Sequence, residues 1–199
     1  MAEAGRLFDS SAAPGGAHPG LGTRNALLSL GESVYLEVIA PDPEQVLTGT
    51  LGARLATLSA PGLITWAAAT PDLESVASGA AGLSLSVRGP VPTERRAPDG
   101  TVLRWRLLFV GGHGFGGLVP FFIDWMDTPH PARTSPAGGR LTTLEIRSPD
   151  ADPLNGLYRA LGLDCEATAG DEPGLTARIE TETGEVRLNS APGANGWGF

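Results

Sequence analysis

His18-Pro19-Gly20-Leu21-Gly22-Thr23-Arg24-Asn25-Ala26-Leu27-Leu28-Ser29-Leu30-Gly31, continued by Val34-Tyr35-Leu36-Glu37-Val38-Ile39-Ala40-Pro41, decides how this chain is read. Residues 25–30 and 34–40 are apolar runs separated by Gly31-Glu32-Ser33, a short glycine-containing connection that predicts a hairpin. Glu37 places one carboxylate inside the second run. An acid taken out of water needs a partner or a task. Val119-Pro120-Phe121-Phe122-Ile123-Asp124-Trp125 repeats the pattern with Asp124 near its end. The two acids are therefore candidates for one shared site, with their carboxyl groups expected to converge on a cavity.

Working outward, residues 2–9 predict a short helix and residues 10–22 a loop rich in Gly, Pro and Ala. Pro41-Asp42-Pro43 closes the hairpin, and residues 44–60 are mixed. Leu63-Ile64-Thr65-Trp66-Ala67-Ala68-Ala69 reads as a strand leading into Asp72, an N-cap for a helix through Ala80. Three strands follow at 83–87, 103–110 and 118–125, divided by the turn Pro98-Asp99-Gly100 and the glycine cluster 111–117. A further partial copy has a strand at 141–147, a helix at 153–161 capped by Asp152, and a hairpin of 175–181 and 185–189 around Gly184. The tail 191–199 is loop-like, with Trp197 and Phe199 as anchors. Recurrence of strand, helix, strands predicts an α+β architecture of repeated modules.

Composition excludes several function classes. With 22 acidic and 14 basic residues the net charge is −8, which gives no basic footprint for nucleic acid or an anionic membrane. Every basic residue is Arg, which suggests the codon usage of a GC-rich bacterial genome. The lack of lysine removes Schiff-base and P-loop chemistry. The single Cys165 forms no intramolecular disulfide, and Met1-Ala2-Glu3-Ala4-Gly5-Arg6 lacks the apolar core of a secretory signal, so a reducing cytoplasm is expected. The richest apolar region, 107–125, is interrupted by His113, Pro120, Asp124 and glycines, and a soluble protein is expected.

Gly20-Leu21-Gly22-Thr23-Arg24-Asn25-Ala26-Leu27, Tyr35-Leu36-Glu37, Asp99-Gly100-Thr101-Val102-Leu103-Arg104-Trp105 and Pro120-Phe121-Phe122-Ile123-Asp124-Trp125 occur in an order that resembles the glyoxalase-like branch of the vicinal oxygen chelate superfamily. The resemblance implies paired βαβββ modules forming a cupped, incomplete barrel. Residues 1–43 would be a truncated first module lacking its first strand, 61–127 the second module, and 140–190 a partial third βαββ unit. It also implies a divalent metal held between modules, with Glu37 and Asp124 at positions like the family's ligand carboxylates. Members commonly begin with a strand carrying Asp-His, which this chain lacks, and Thr65 stands where many have a ligand His.

Two carboxylates with water or substrate oxygens suit Mg²⁺, Mn²⁺ or Fe²⁺, and an imidazole widens the set to Zn²⁺ or Ni²⁺. His18, in the Gly/Pro loop before the hairpin, is a candidate third ligand or, with Glu37, a catalytic base. The alternatives are a loop imidazole bonded to the backbone, and acids paired with Arg24, Arg104 or Arg106. A cavity without metal is as much in keeping with the residues. Asn25, Trp66, Trp105, Phe122 and His130 are candidate substrate contacts, since aromatic residues on alternating strand positions place some side chains toward a cavity. Arg104 and Arg106 share a strand face and read as exterior. Gly112-His113-Gly114-Phe115-Gly116-Gly117 has dinucleotide spacing but precedes a strand and not a helix, so no phosphate site is expected. Asp150-Ala151-Asp152 reads as a helix cap rather than a calcium loop, and Cys165 as an inert core residue.

The leading functional expectation is a metal-assisted lyase, isomerase or dioxygenase acting on a small oxygenated substrate. The alternative is a metal-free protein that sequesters a small molecule, and a third is a degenerate dimerisation module. A first sheet short of one strand would leave an open edge, which predicts cover by a C-terminal strand or, preferably, by a second copy in a homodimer.

Overall fold

The computed structural model describes residues 8, 12–96 and 100–194. The fold is mixed α+β, with its strands in three sheets, none of them closed into a barrel. The first sheet contains β1 (Ala13–His18), β2 (Thr23–Ser29) and β3 (Tyr35–Pro41) in that order. The second contains β4 (Ala67–Ala69), β5 (Ser86–Arg96), β6 (Val102–Gly111) and β7 (Phe121–Asp124) in the order β4-β7-β6-β5. The third contains β8 (Arg140–Ser148), β9 (Ala167–Ala169), β10 (Gly174–Thr181) and β11 (Gly184–Asn189) in the order β11-β10-β8-β9. Among the described residues the α-helices with both ends placed are α1 (Leu51–Leu55), α2 (Leu73–Gly82) and α3 (Ala151–Ala160).

The chain forms two compact units that share the sequence in alternating pieces. The first comprises Met1–Pro61, His130–Leu144 and Ala177–Gly193, and the second Gly62–Pro129, Glu145–Thr176 and Ala194–Phe199.

In the first unit, β2 and β3 form the expected hairpin with Leu27 opposite Glu37 and Asn25 opposite Ile39. Because side chains alternate, Leu28 and Leu30 point to the opposite side and join Phe8 and Ile179 in a buried cluster flanked by Val34, Leu36, Leu141, Val186 and Leu188. Full burial of such side chains contributes about 1.5–3 kcal/mol apiece. Thr50 caps α1 by accepting from the Ala53 amide at 3.4 Å. That helix lies so close to the turn before β2 that a Cβ on Gly52 would stand 2.0 Å from the Gly22 carbonyl oxygen.

In the second unit, Asp72 caps α2 as expected, its side chain accepting from the Ser75 amide at 2.9 Å. Leu73, Val76 and Ala80 on that helix are buried, as are Leu108, Val110 and Phe122 on the strands it packs against. β4 runs parallel to β7, Ala68 opposite Phe122, while β5, β6 and β7 are antiparallel. α2 also meets α3 closely: a Cβ on Gly79 would lie 2.0 Å from the Ala160 carbonyl oxygen.

Several local expectations change. Residues 10–22 are not all loop, because Ala13–His18 pairs along β2. Ala-Pro-Gly-Gly-Ala-His has no strand periodicity of its own, and the ladder supplied by β2 makes it a strand. α1 and β9 fall in stretches that carried no strong signal, and α3 starts at Ala151, not after Asp152, with Asp150 at the N-cap. The strand expected at 63–69 is regular only over Ala67–Ala69, with an isolated bridge at Leu63. The first sheet has three strands where the second has four, and no described strand stands beside β3 as β4 stands beside β7. The helix expected at 2–9, apart from Phe8, and the anchors Trp197 and Phe199 lie outside the described residues.

Candidate functional site

The side of the first sheet that faces away from Leu28 and Leu30 gathers the polar candidates. His18 lies opposite Thr23, Gly16 opposite Asn25, and Leu27 opposite Glu37. His18 reaches that face only because β1 carries a bulge. An extra residue, Gly15, interrupts the register between Pro14 and Gly16. Had the pairing of Pro14 with Ala26 continued unbroken, Ala17 would stand opposite Thr23 and His18 would turn to the other side, since a one-residue slip reverses every side chain.

The contacts on this face are specific. Asn25 donates from Nδ2 to Glu37 Oε1 at 2.7 Å. His18 Nε2 stands 3.8 Å from the same oxygen. His18 Nδ1 is 2.9 Å from Thr23 Oγ1, with Thr23 fully buried. A nitrogen lone pair aimed at a carboxylate would be repelled, so the arrangement favours the tautomer with hydrogen on Nε2 and the Thr23 hydroxyl donating to Nδ1. Three of the sequence candidates, His18, Asn25 and Glu37, thus gather in one polar cluster, in which Asn25 hydrogen-bonds Glu37 and His18 stands within ion-pair distance of the same carboxylate. Both side chains of the His18 and Glu37 pair are about one-third exposed, at 30% and 31%. Farther along, Tyr35 meets the ring of His130 edge-on at 5.5 Å. His130 Nδ1 accepts from the Ala132 amide at 3.2 Å, which caps the short 3₁₀ turn Pro131–Arg133. Burial, reinforced by Arg133, holds the His130 imidazole below its ordinary pKa and keeps it a neutral acceptor.

Asp124 belongs to the second unit, and its environment is of another kind. It is 7% exposed and lies opposite Arg106 on the helix-covered face of its sheet. Arg106 donates to Asp124 Oδ2 from both Nε at 3.0 Å and Nη2 at 2.6 Å. The Met126 amide donates to Oδ1 at 2.8 Å. Burial raises the Asp124 pKa, but the guanidinium and the amide outweigh it and leave the carboxyl below its ordinary value. Arg106 also bonds Glu74 of α2 at 3.1 Å, so it ties helix to sheet and does not lie free on the exterior. Arg104 pairs with Glu94 at 3.5 Å in an exposed position.

The other candidates divide by strand parity. Trp105 lies on the face away from α2, tilted against Trp125 with ring centres 5.7 Å apart. Phe109 and Phe121 stack at 5.7 Å on the same face, and the Arg88 guanidinium sits 4.1 Å above Phe109. This aromatic surface carries the Arg88 contact that residue spacing alone did not single out. Phe122 points the other way and is 1% exposed. Trp66 donates from Nε1 to the Leu118 carbonyl at 2.8 Å and meets Tyr158 edge-on. Cys165 is half-buried and not in the core as expected, and burial, with Asp164 beside it, pushes its thiol up.

A divalent ion needs three or more convergent donors. Among the described residues no such group of His, Cys, Asp and Glu occurs. His18 and Glu37 supply two donors, the third neighbour is an Asn25 N–H that can only donate, and both Asp124 oxygens are already engaged. The described residues do not fit a metal centre.

The family model for the glyoxalase-like domain matches residues 2–162. The chain belongs to the glyoxalase-like domain family, within the vicinal oxygen chelate superfamily. A crystal structure of a hypothetical protein from Staphylococcus aureus has a similar fold, with 18% identity and a TM-score of 0.61 over 91% of this chain and 77% of that one. No curated protein matches the sequence. Membership of the glyoxalase-like family points to a small-molecule enzyme or binding protein. No described helix is long and apolar enough to cross a membrane.

Proposed function

We propose that this glyoxalase-like protein binds a small oxygenated molecule on the polar face of its first sheet, without a metal ion. The observation that carries the reading is the cluster around Glu37. Asn25 and His18 both address Oε1, which fixes the carboxylate and leaves Oε2 to accept a hydrogen bond from a ligand hydroxyl. Leu27 and Ile39 share that face and supply apolar contact beside the polar group, the usual composition of a small-molecule site. A carboxylate with an imidazole 3.8 Å away is also equipped for proton transfer, so acid-base chemistry on the bound molecule is an extension of the same site.

The reading with a divalent ion on His18, Glu37 and Asp124 has less support, because Asp124 would have to abandon Arg106 and the Met126 amide. The test is a thermal-shift screen of small hydroxylated and keto compounds on untagged protein, with elemental analysis alongside. A ligand at one hundred times its dissociation constant stabilises the fold by about 2.7 kcal/mol, and Glu37→Gln should remove that stabilisation. Stoichiometric metal in the purified protein, lost on Asp124→Asn, would defeat the proposal.

A further inference from the structure

We infer that Gly15 is a positioning residue for the Glu37 site, acting through Asn25. This rests on the reading of Glu37 as the ligand-binding carboxylate. Gly15 is the extra residue of the bulge in β1, and its insertion is what brings His18 rather than Ala17 opposite Thr23. It also leaves room for the amide that aims Glu37. A Cβ built on Gly15 would lie 2.0 Å from Asn25 Oδ1, 2.7 Å from its Cγ and 3.2 Å from its Nδ2. The Asn25 amide therefore occupies the space that any side chain at position 15 would need.

The orientation of that amide has a cost that identifies what fixes it. Asn25 Oδ1 is buried and has no hydrogen-bond partner. An orphaned buried acceptor is unfavourable, and a simple amide flip would exchange the two ends. The flip would turn Oδ1 toward the Glu37 carboxylate, acceptor against acceptor, and lose the 2.7 Å bond from Nδ2. Glu37 thus sets the orientation of Asn25, and Gly15 accommodates the oxygen turned away from it. The φ of Gly15 lies outside the left-handed range, so its backbone suits alanine. The three atoms nearest to a side chain there all belong to Asn25.

The experiment follows the Asn25 side-chain amide resonances by ¹⁵N-¹H NMR and needs no ligand. In the native background Glu37→Gln should shift them, because it replaces the charged acceptor. In Gly15→Ala the methyl displaces the amide, and the response to Glu37→Gln should be lost while backbone resonances of the second unit stay in place. A response of undiminished size in Gly15→Ala would overturn the inference. If Gly15→Ala fails to fold, Gly15→Ala combined with Asn25→Ala is the deciding variant. Restored folding is expected, since the obstructing group is gone, and continued failure would show that the obstruction is not the amide. Loss of ligand binding in Glu37→Gln is a separate measurement: its failure would remove the functional reading and leave the NMR result standing.

Discussion

One buried carbonyl in the second unit, that of Leu118, offers a quantitative test of how its interior is held. Tyr158, with no exposed surface, donates its hydroxyl to this oxygen at 2.7 Å, and Trp66 Nε1 donates to it at 2.8 Å. Tyr158→Phe removes one donor and leaves the other, so it should cost about 0.5–1.5 kcal/mol, the net value of a single hydrogen bond. Trp66→Phe removes the second donor together with some ring volume. With both replaced the carbonyl is buried and unsatisfied, and its full desolvation penalty of about 1–3 kcal/mol appears. The double variant should therefore be about 1 kcal/mol less stable than the sum of the single changes. The edge-on contact between the two rings, with centres 6.3 Å apart, keeps an aromatic ring on each side when phenylalanine replaces either residue, so it does not set the sign of the coupling. Urea denaturation of the four proteins measures the cycle. Burial, with a smaller effect from Cys165, pushes the Tyr158 phenol well above its ordinary value near 10, so the coupling should be constant between pH 6 and pH 9. Additivity within about 0.3–0.5 kcal/mol would refute the reasoning and mean that water reaches Leu118 by another route.

Removing Arg106 should destabilise the second unit more than Asp124→Asn, because it leaves a nearly buried carboxylate uncompensated, and thermal melts of the two variants give the order. Asp124 has a depressed folded pKa, so its contribution is complete above the ordinary value of 3.8 and is lost as pH falls through the lower folded value; Asp124→Asn should flatten that part of the acid limb. His113 Nδ1 accepts from the Phe115 amide at 3.0 Å, and burial outweighs its bond to the Val110 carbonyl to depress its pKa. Protonation below the ordinary value of 6.5 removes that acceptor, so Phe115 amide exchange should accelerate, beyond the intrinsic pH effect, as the medium is acidified; an unchanged protection factor at pH 5 would contradict this.

The hairpin of β2 and β3, the Asp72-capped helix and the strands β6 and β7 were legible because each carries its own local signal in apolar runs, turn residues or a cap, whereas β5, expected at 83–87, runs over Ser86–Arg96, and its polar, proline-containing stretch 88–96 carries no such signal. β1 was not. Nothing in Ala-Pro-Gly-Gly-Ala-His specifies extension, and the one residue that sets its register, Gly15, is silent in any hydropathy pattern. His18, Asn25 and Glu37 were all named as candidates, and two of them follow from strand parity, but the bulge that adds the third is a tertiary feature. Phe122 and Trp105 illustrate the other limit. Alternation places Phe122 with Asp124, and Trp105 on the opposite side, yet only the helix packing reveals that Phe122 lies on the buried side. The pairing of Asp124 with an arginine was foreseen among several partners, and β-sheet register selects Arg106 from Arg24 and Arg104.

The alternating division of the chain has a consequence for its synthesis. The first unit needs residues up to Gly193 and the second includes the segment Glu145–Thr176, so neither piece list is complete when a ribosome has made the first half of the protein. β4 waits for β7, more than fifty positions later, before its short parallel ladder exists. The nascent chain therefore carries an unfinished third sheet, with open strand edges, until β10 and β11 have been made. Slow codons placed between the units would give little help, because no point in the message separates one finished unit from the next. Residues 177–193 decide when the unit begun by β1 is complete.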